Sequence, residues 1–187
     1  ECKFYLEPGH TVELEMYLRP GCQEEMLVSN QLEDFELVKD GVSRPAASLI
    51  GNEAHILMFL APGEEPTEHV LNEMLALQET LRRMDAGLCF VLQDGDNQRT
   101  AAWEKVIEAF PDGKVVYGVF DDIVEPLARR MYVDPEKLPL MILVNPGLCG
   151  IFACSGYRVG SVKLALDLLK VSRKCESGGR LGECQPG

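Results

Sequence analysis

Residues 54–87 read AHILMFLAPGEEPTEHVLNEMLALQETLRRMDAG. The stretch opens with a nearly continuous apolar run, His55–Leu60, which is typical of a short strand covered on both faces. After the loop at residues 61–66, apolar residues recur every three or four positions, as they do along one face of a helix: Val70, Met74, Leu77, Leu81 and Met84. The stretch therefore predicts a buried strand, a tight loop and a helix over residues 67–84, with Thr67 as N-cap and Gly87 as the C-terminal stop.

The whole chain has 187 residues, 46% of them hydrophobic, which suits one medium domain with a real core. Its net charge of -12 argues against nucleic acid or an anionic membrane surface as a partner. No apolar run approaches the roughly 18–20 residues that a membrane span needs. Because the chain begins with Glu1 rather than Met, we expect a fragment of a longer protein, and neither a cytoplasmic nor an extracytoplasmic location follows.

The chain contains seven cysteines, an odd number, and none stands in a Cys-x-x-Cys or zinc-binding spacing. The three histidines are scattered, so we predict neither a metal nor a cofactor. The favoured interpretation is a set of buried or free thiols in a reducing compartment. Two pairings remain open at this stage, Cys149 with Cys154 and Cys175 with Cys184. Cys89 falls in a predicted buried strand, where inert packing is expected.

The rest of the chain alternates strands and helices. Residues 1–27 predict a β-hairpin that needs a neighbouring sheet, residues 28–172 an α/β domain, and residues 173–187 a flexible tail. Within the domain the predicted order is β-α-β-α-β-α-β-β-α, with a hairpin turn at residues 145–147. Alternation favours parallel strands joined by crossover helices, and the final hairpin adds antiparallel pairing. The expected architecture is a three-layer α/β/α sandwich with a mixed central sheet.

With this order in place, residues 32–169 resemble the thioredoxin fold, in its peroxiredoxin-like and extracytoplasmic thiol-disulfide oxidoreductase branch. The resemblance starts in the phrase EDFELVKDG at residues 33–41 and the segment SLIG at residues 48–51. It continues through the apolar strand ending at Phe59, the loop and the long helix. The segment 138–140, Leu-Pro-Leu, stands where such proteins carry a cis-proline before a buried strand. The resemblance therefore implies a cis peptide bond at Pro139.

The chain departs from that family at its reactive site. Family members carry Cys-x-x-Cys where the loop meets the helix, because the helix N-terminus lowers a thiol pKa. Aligning Phe59 and Pro66 with the family pattern puts Glu64 and Thr67 at the two cysteine positions. Neither a carboxylate nor a hydroxyl performs thiol-disulfide exchange. None of the family's redox residues carries over.

The N-terminal segment FYLEPGHTVEL, residues 4–14, resembles the strand pair that follows the papain-like core of some large bacterial transglutaminase-like proteins. Some of these proteins continue into a thioredoxin-like module. The resemblance implies an upstream transglutaminase-like catalytic domain, with its catalytic residues outside this chain.

Together these features predict a redox-inactive accessory domain for protein binding or interdomain packing, rather than an enzyme. Its partner would be the upstream domain of the same chain or an extended peptide, bound in a groove formed by Glu64, Glu65, Pro66, Thr67, Leu138 and Pro139. Helix capping explains the glutamates without any ligand, and a structural turn explains the proline. The alternative is a thiol-disulfide oxidoreductase or peroxidase that uses a displaced cysteine, Cys149 or Cys154.

Overall fold

The computed structural model describes residues 30–51, 53–84, 86–96 and 98–177, with side chains up to residue 170. The predicted hairpin at residues 1–27 and residues 178–187 of the predicted tail lie outside this part. The described strands are β1 Asn30–Gln31, β2 Glu36–Lys39, β3 Val42–Pro45, β4 His55–Leu60, β5 Gly87–Gln93, β6 Lys114–Gly118, β7 Leu140–Asn145 and β8 Cys149–Ser155. The described helices are α1 Ala46–Ile50, α2 Glu65–Ala76, α3 Gln78–Arg82, α4 Ala101–Ala109, α5 Phe120–Arg130 and α6 Ser161–Ser177.

The strands form one mixed sheet in the order β1-β8-β7-β4-β5-β6-β2-β3. Strands β4, β5 and β6 are parallel, whereas β7 and β8 form an antiparallel hairpin that joins them at β4. The described buried apolar residues divide into two clusters, one for each face of the sheet. The predicted three-layer α/β architecture with a mixed sheet is therefore confirmed.

Strand β4 is the centre of this sheet, and each of its six side chains is buried. Alternation along the strand sends Ile56, Met58 and Leu60 into one core cluster and Leu57 and Phe59 into the other. A strand between two neighbours, with a helical layer on each face, needs apolar residues at every position. The continuous apolar run is thus explained by burial on both faces.

The helix after β4 differs from its prediction. It begins at Glu65 rather than at residue 67, and Glu64 is the N-cap, without a side-chain capping bond. Pro66 lies in the first turn, where its missing N–H costs nothing and its fixed φ suits a helix. Thr67 is fully buried as the third helical residue, so the N-cap prediction for Thr67 is wrong. The predicted single helix is also interrupted at Leu77, which separates α2 from α3.

The prediction that Gly87 stops the helix is wrong, whereas the predicted buried strand that contains Cys89 is confirmed as β5, with Gly87 as its first residue. Helix α3 already ends at Arg82, and Gly87 pairs with His55 of β4. A Cβ atom at Gly87 would lie 2.1 Å from His55 Nε2. The glycine is therefore needed for close packing against a neighbouring side chain and not for a turn.

Strand β3 is absent from the predicted order of elements, and Ile107 of α4 is 37% exposed. Helix α6 continues to Ser177, into residues that the sequence predicts as part of a flexible tail. By contrast, the peptide bond between Leu138 and Pro139 is cis, as the resemblance implied. Among the described helices, none has the length and apolar character required to cross a membrane.

Candidate functional site

The candidate site lies at the end of β4, where the chain leaves the sheet for α2. Strand β4 is antiparallel to β7, and Phe59 is paired with Leu140. Continuing this register places Pro139 beside Leu60 and Leu138 beside Ala61. The sheet therefore brings the loop at residues 61–64 to the same edge as the cis-proline segment.

The loop is fixed by side chains of α2. Thr67 Oγ1 accepts a hydrogen bond from the backbone N–H of Ala61 at 3.2 Å. Glu68 Oε1 accepts one from Gly63 N–H at 3.1 Å and a second from the Thr100 hydroxyl at 2.8 Å. Because Thr100 is the N-cap of α4, Glu68 ties the loop to a second helix. The loop is thus held in one conformation by buried and half-buried polar groups.

The six residues of the predicted groove differ in exposure. Glu64 and Glu65 are exposed, Pro66 and Leu138 are half-buried, and Thr67 and Pro139 are buried. The hydroxyl of Thr67 already accepts the Ala61 N–H bond and is closed off from solvent. What the site offers to a partner is therefore two carboxylates and a stretch of backbone.

That backbone belongs to Leu138. Pro139 O accepts a hydrogen bond from Gly156 N–H at 3.0 Å, and the β7 ladder starts at Leu140. Within the described residues, neither the N–H nor the C=O group of Leu138 has a backbone hydrogen bond. Both groups are thus available to pair with an additional extended segment.

Both described free thiols have raised pKa values, which disfavour the reactive thiolate form. Cys89 is fully buried in β5, and burial raises its pKa to about 12. Burial also raises the pKa of Cys154 to about 12; the Arg158 charge opposes this shift and the Glu73 carboxylate adds to it. Both are free thiols, so the open pairing of Cys149 with Cys154 is wrong. Cys149 is disulfide-bonded, which also makes the free-thiol interpretation wrong for this residue. The pairing of Cys175 with Cys184 lies outside the described side chains.

Beside the cis-proline segment runs a groove that the sequence did not predict. It encloses about 460 Å³ between α5 and residues 135–138. Helix α5 begins at Phe120. Phe120 N–H donates to Gln93 Oε1 at 2.9 Å, which fixes this helix start to the end of β5. An aspartate pair at residues 121 and 122, suited to the first turn of a helix, was the signal that could have located it.

A second polar cluster lies at the opposite edge of the sheet, around His55. Its Nδ1 lies 3.0 Å from the backbone oxygen of Glu53, which can only accept, so Nδ1 carries the hydrogen. Nε2 is then the acceptor for Lys114 Nζ at 3.2 Å, and the same ammonium donates to Leu49 O. Burial lowers the pKa of His55; the bond to Glu53 opposes this shift and the Lys114 charge adds to it. The histidine is therefore a neutral structural group.

This cluster predicts a pH dependence of stability. Above about pH 6.5, His55 is neutral in both the folded and the unfolded chain, and its contribution is fully present. As the pH falls below that value the unfolded chain binds the proton first. The free energy of unfolding then decreases by up to about 1.4 kcal/mol per pH unit until the folded pKa is reached. Urea unfolding of the wild type between about pH 5 and pH 7 measures this slope.

The matched variants are H55Q and H69Q. His69 is on α2 with a side chain that is 52% exposed. We expect H55Q to flatten the slope between about pH 5 and pH 7 and H69Q to retain it. An unchanged slope in H55Q would show that His55 is not the titrating group.

No family model and no curated protein matches this chain. A thiol-disulfide oxidoreductase from Bacteroides fragilis superposes with a TM-score of 0.52 and 18% identity, over 75% of this chain and 99% of that one. Copper-bound ScoI from Arabidopsis thaliana superposes with a TM-score of 0.54 and 16% identity, over 78% of this chain and 99% of that one. Peroxidoxin BcpB from Mycobacterium tuberculosis superposes with a TM-score of 0.52 and 14% identity, over 79% of this chain and 98% of that one.

The described residues contain no group of three or more His, Cys, Asp or Glu side chains that could hold a metal ion. At these low identities the solved structures establish the architecture and not an activity. The chain therefore has a thioredoxin-like fold, which it shares at low identity with solved structures described as a thiol-disulfide oxidoreductase, a Sco protein and a peroxidoxin.

Proposed function

We propose that this chain is a redox-inactive thioredoxin-like module that binds an extended protein segment. The observation that carries the proposal is the start of α2, where Glu64 is the exposed N-cap and Thr67 the buried third residue. In the family pattern these two positions hold the thiol pair. The chain therefore has the strand, loop and helix start that carry the thiol pair in the family pattern, but neither thiol.

The edge formed by the Leu138 backbone and the loop at residues 61–64, called the binding edge below, supports the same proposal. The unpaired backbone groups of Leu138 can add a strand by hydrogen bonding, as in β-augmentation. The loop at residues 61–64 forms the opposite side of this edge and is fixed by Thr67 and Glu68. A preorganised edge loses little conformational entropy on binding, which favours recognition.

The alternative of a displaced catalytic cysteine has less support. A reactive cysteine needs an exposed thiol with a lowered pKa. Cys154 has a pKa raised to about 12, and Cys149 is not a thiol. An upstream transglutaminase-like domain remains a proposal for the natural setting of the module, because residues 4–14, which carry that resemblance, lie outside the described residues.

The redox part of the proposal is tested by thiol reactivity. At about pH 8 a thiol with a pKa near 12 is a thiolate in only about one molecule in ten thousand, so Cys89 and Cys154 should react very slowly in the native chain. Mass spectrometry after labelling with a maleimide identifies the modified residues. Labelling in denaturant should then modify both cysteines.

The activity measurement is insulin reduction by dithiothreitol. We expect no rate above that of dithiothreitol alone. Rapid native labelling of one cysteine, together with turnover that is lost when this cysteine is replaced by Ser, would instead establish the displaced-cysteine enzyme.

A further inference from the structure

The groove along α5 has an apolar floor. The side chain of Val124 is 6% exposed, and Phe120 and Leu138 are half-buried along its length. The ring of Phe59 packs against that of Phe120, with ring centroids 5.8 Å apart. Val119, which immediately precedes the helix, is 44% exposed. The groove can thus accept an apolar side chain against a rigid aromatic base.

The rim of the groove is acidic. Three acidic side chains line it, Asp121, Glu125 and Glu136, against one basic side chain, Arg129. Arg129 is paired with Glu125, at 2.7 Å between Nη2 and the carboxylate. The carboxylates of Asp121 and Glu136 have no hydrogen bond or ion pair to another described residue. Two uncompensated negative charges therefore face solvent beside an apolar floor.

The groove is continuous with the binding edge through Leu138, which lines it and also carries the unpaired backbone groups. A segment that pairs with this backbone has side chains that alternate between the two sides of its strand. Some of them would point into the groove. Leu138 would thus pair with the backbone of a bound segment and also line the groove that accepts some of its side chains.

We infer that the segment bound by this module is basic, with a Lys or Arg facing Asp121 and Glu136 and an apolar side chain on Phe120, Val124 and Leu138. This inference rests on the proposed function and specifies its partner. Oppositely charged groups across an interface select partners and fix their register, so the acidic rim favours a basic segment. The net charge of -12 on the chain also favours a basic segment, because it attracts positive charge at long range.

The test uses a displayed library of random peptides of about ten residues, selected on the intact chain at low salt, because screening is weak there. We expect the enriched peptides to contain more Lys and Arg than the input, with few Asp and Glu. The best enriched peptide should bind D121N/E136Q about four- to ninefold more weakly, since each exposed ion pair contributes about two- to threefold. Fluorescence anisotropy of the labelled peptide measures both affinities.

The control variant E104Q/D112N removes the same number of exposed carboxylates elsewhere on the chain. It should bind the peptide as the wild type does. The basic-partner inference would be overturned if the enriched peptides were neutral or acidic, or if the two double variants lost peptide affinity equally. Either result would leave peptide binding itself intact. Failure to enrich any peptide would overturn both this inference and the proposed binding function.

Discussion

The double substitution E64C/T67C is expected to give this chain a thiol-disulfide reductase activity well above that of the wild type. Position 64 is the exposed N-cap of α2, where the positive end of the helix dipole stabilises a thiolate. Position 67 is buried one turn later, where a second thiol can resolve a mixed disulfide. Lowering the first pKa by about one unit raises the thiolate fraction near pH 7 about tenfold. We therefore expect insulin reduction at least about tenfold faster than with the wild-type chain.

The matched control is E64C alone. It installs the attacking thiol without the resolving one, so mixed disulfides should accumulate and sustained turnover should stay low. Replacing Thr67 removes the hydrogen bond to Ala61 N–H, at a cost of about 1 kcal/mol, so thermal unfolding of each variant must be measured beside the activity. A double variant that folds but remains inactive would show that positions 64 and 67 do not form a thiol site in this fold.

The sequence was sufficient to predict most of the architecture, because the decisive signals are local. The apolar run of β4 requires burial on both faces, and alternating strands and helices require crossovers. The cis bond at Pro139 was implied by the resemblance to the thioredoxin fold. The missing thiols were visible directly, since Glu64 and Thr67 stand where the family has cysteines.

The remaining features depend on contacts between distant residues. Gly87 was interpreted as a helix stop, but the reason for a glycine there is the His55 ring of a neighbouring strand. Thr67 was interpreted as a cap, whereas its hydroxyl binds the loop six residues earlier. The α5 groove depends on Phe120 and Leu138, which lie 18 positions apart in the chain, and no periodic pattern connects them.

The substitution F59A is expected to cause the largest loss of stability of those considered. Phe59 is fully buried in β4, and its ring contacts Phe35 and Phe120, with centroids 6.2 and 5.8 Å away. Truncating a buried Phe to Ala typically costs about 3–5 kcal/mol, from lost transfer free energy and from the cavity that remains. Since domains of this size are stable by only about 5–15 kcal/mol, the variant should be close to unfolding. Urea unfolding of wild type and variant gives this difference directly.

In the proposed binding mode Phe59 also connects stability to recognition, because its ring packs against Phe120 at the floor of the groove. F59L keeps an apolar side chain at this position and should lose less stability than F59A, yet without the aromatic ring it should still weaken binding of the enriched peptide. Val159 is 92% exposed, so V159A should change the free energy of unfolding by less than about 0.5 kcal/mol and leave binding unchanged. If F59A lost less than about 1 kcal/mol, the Phe59 ring would not be part of the core, and the aromatic support of the groove would have to be abandoned with it.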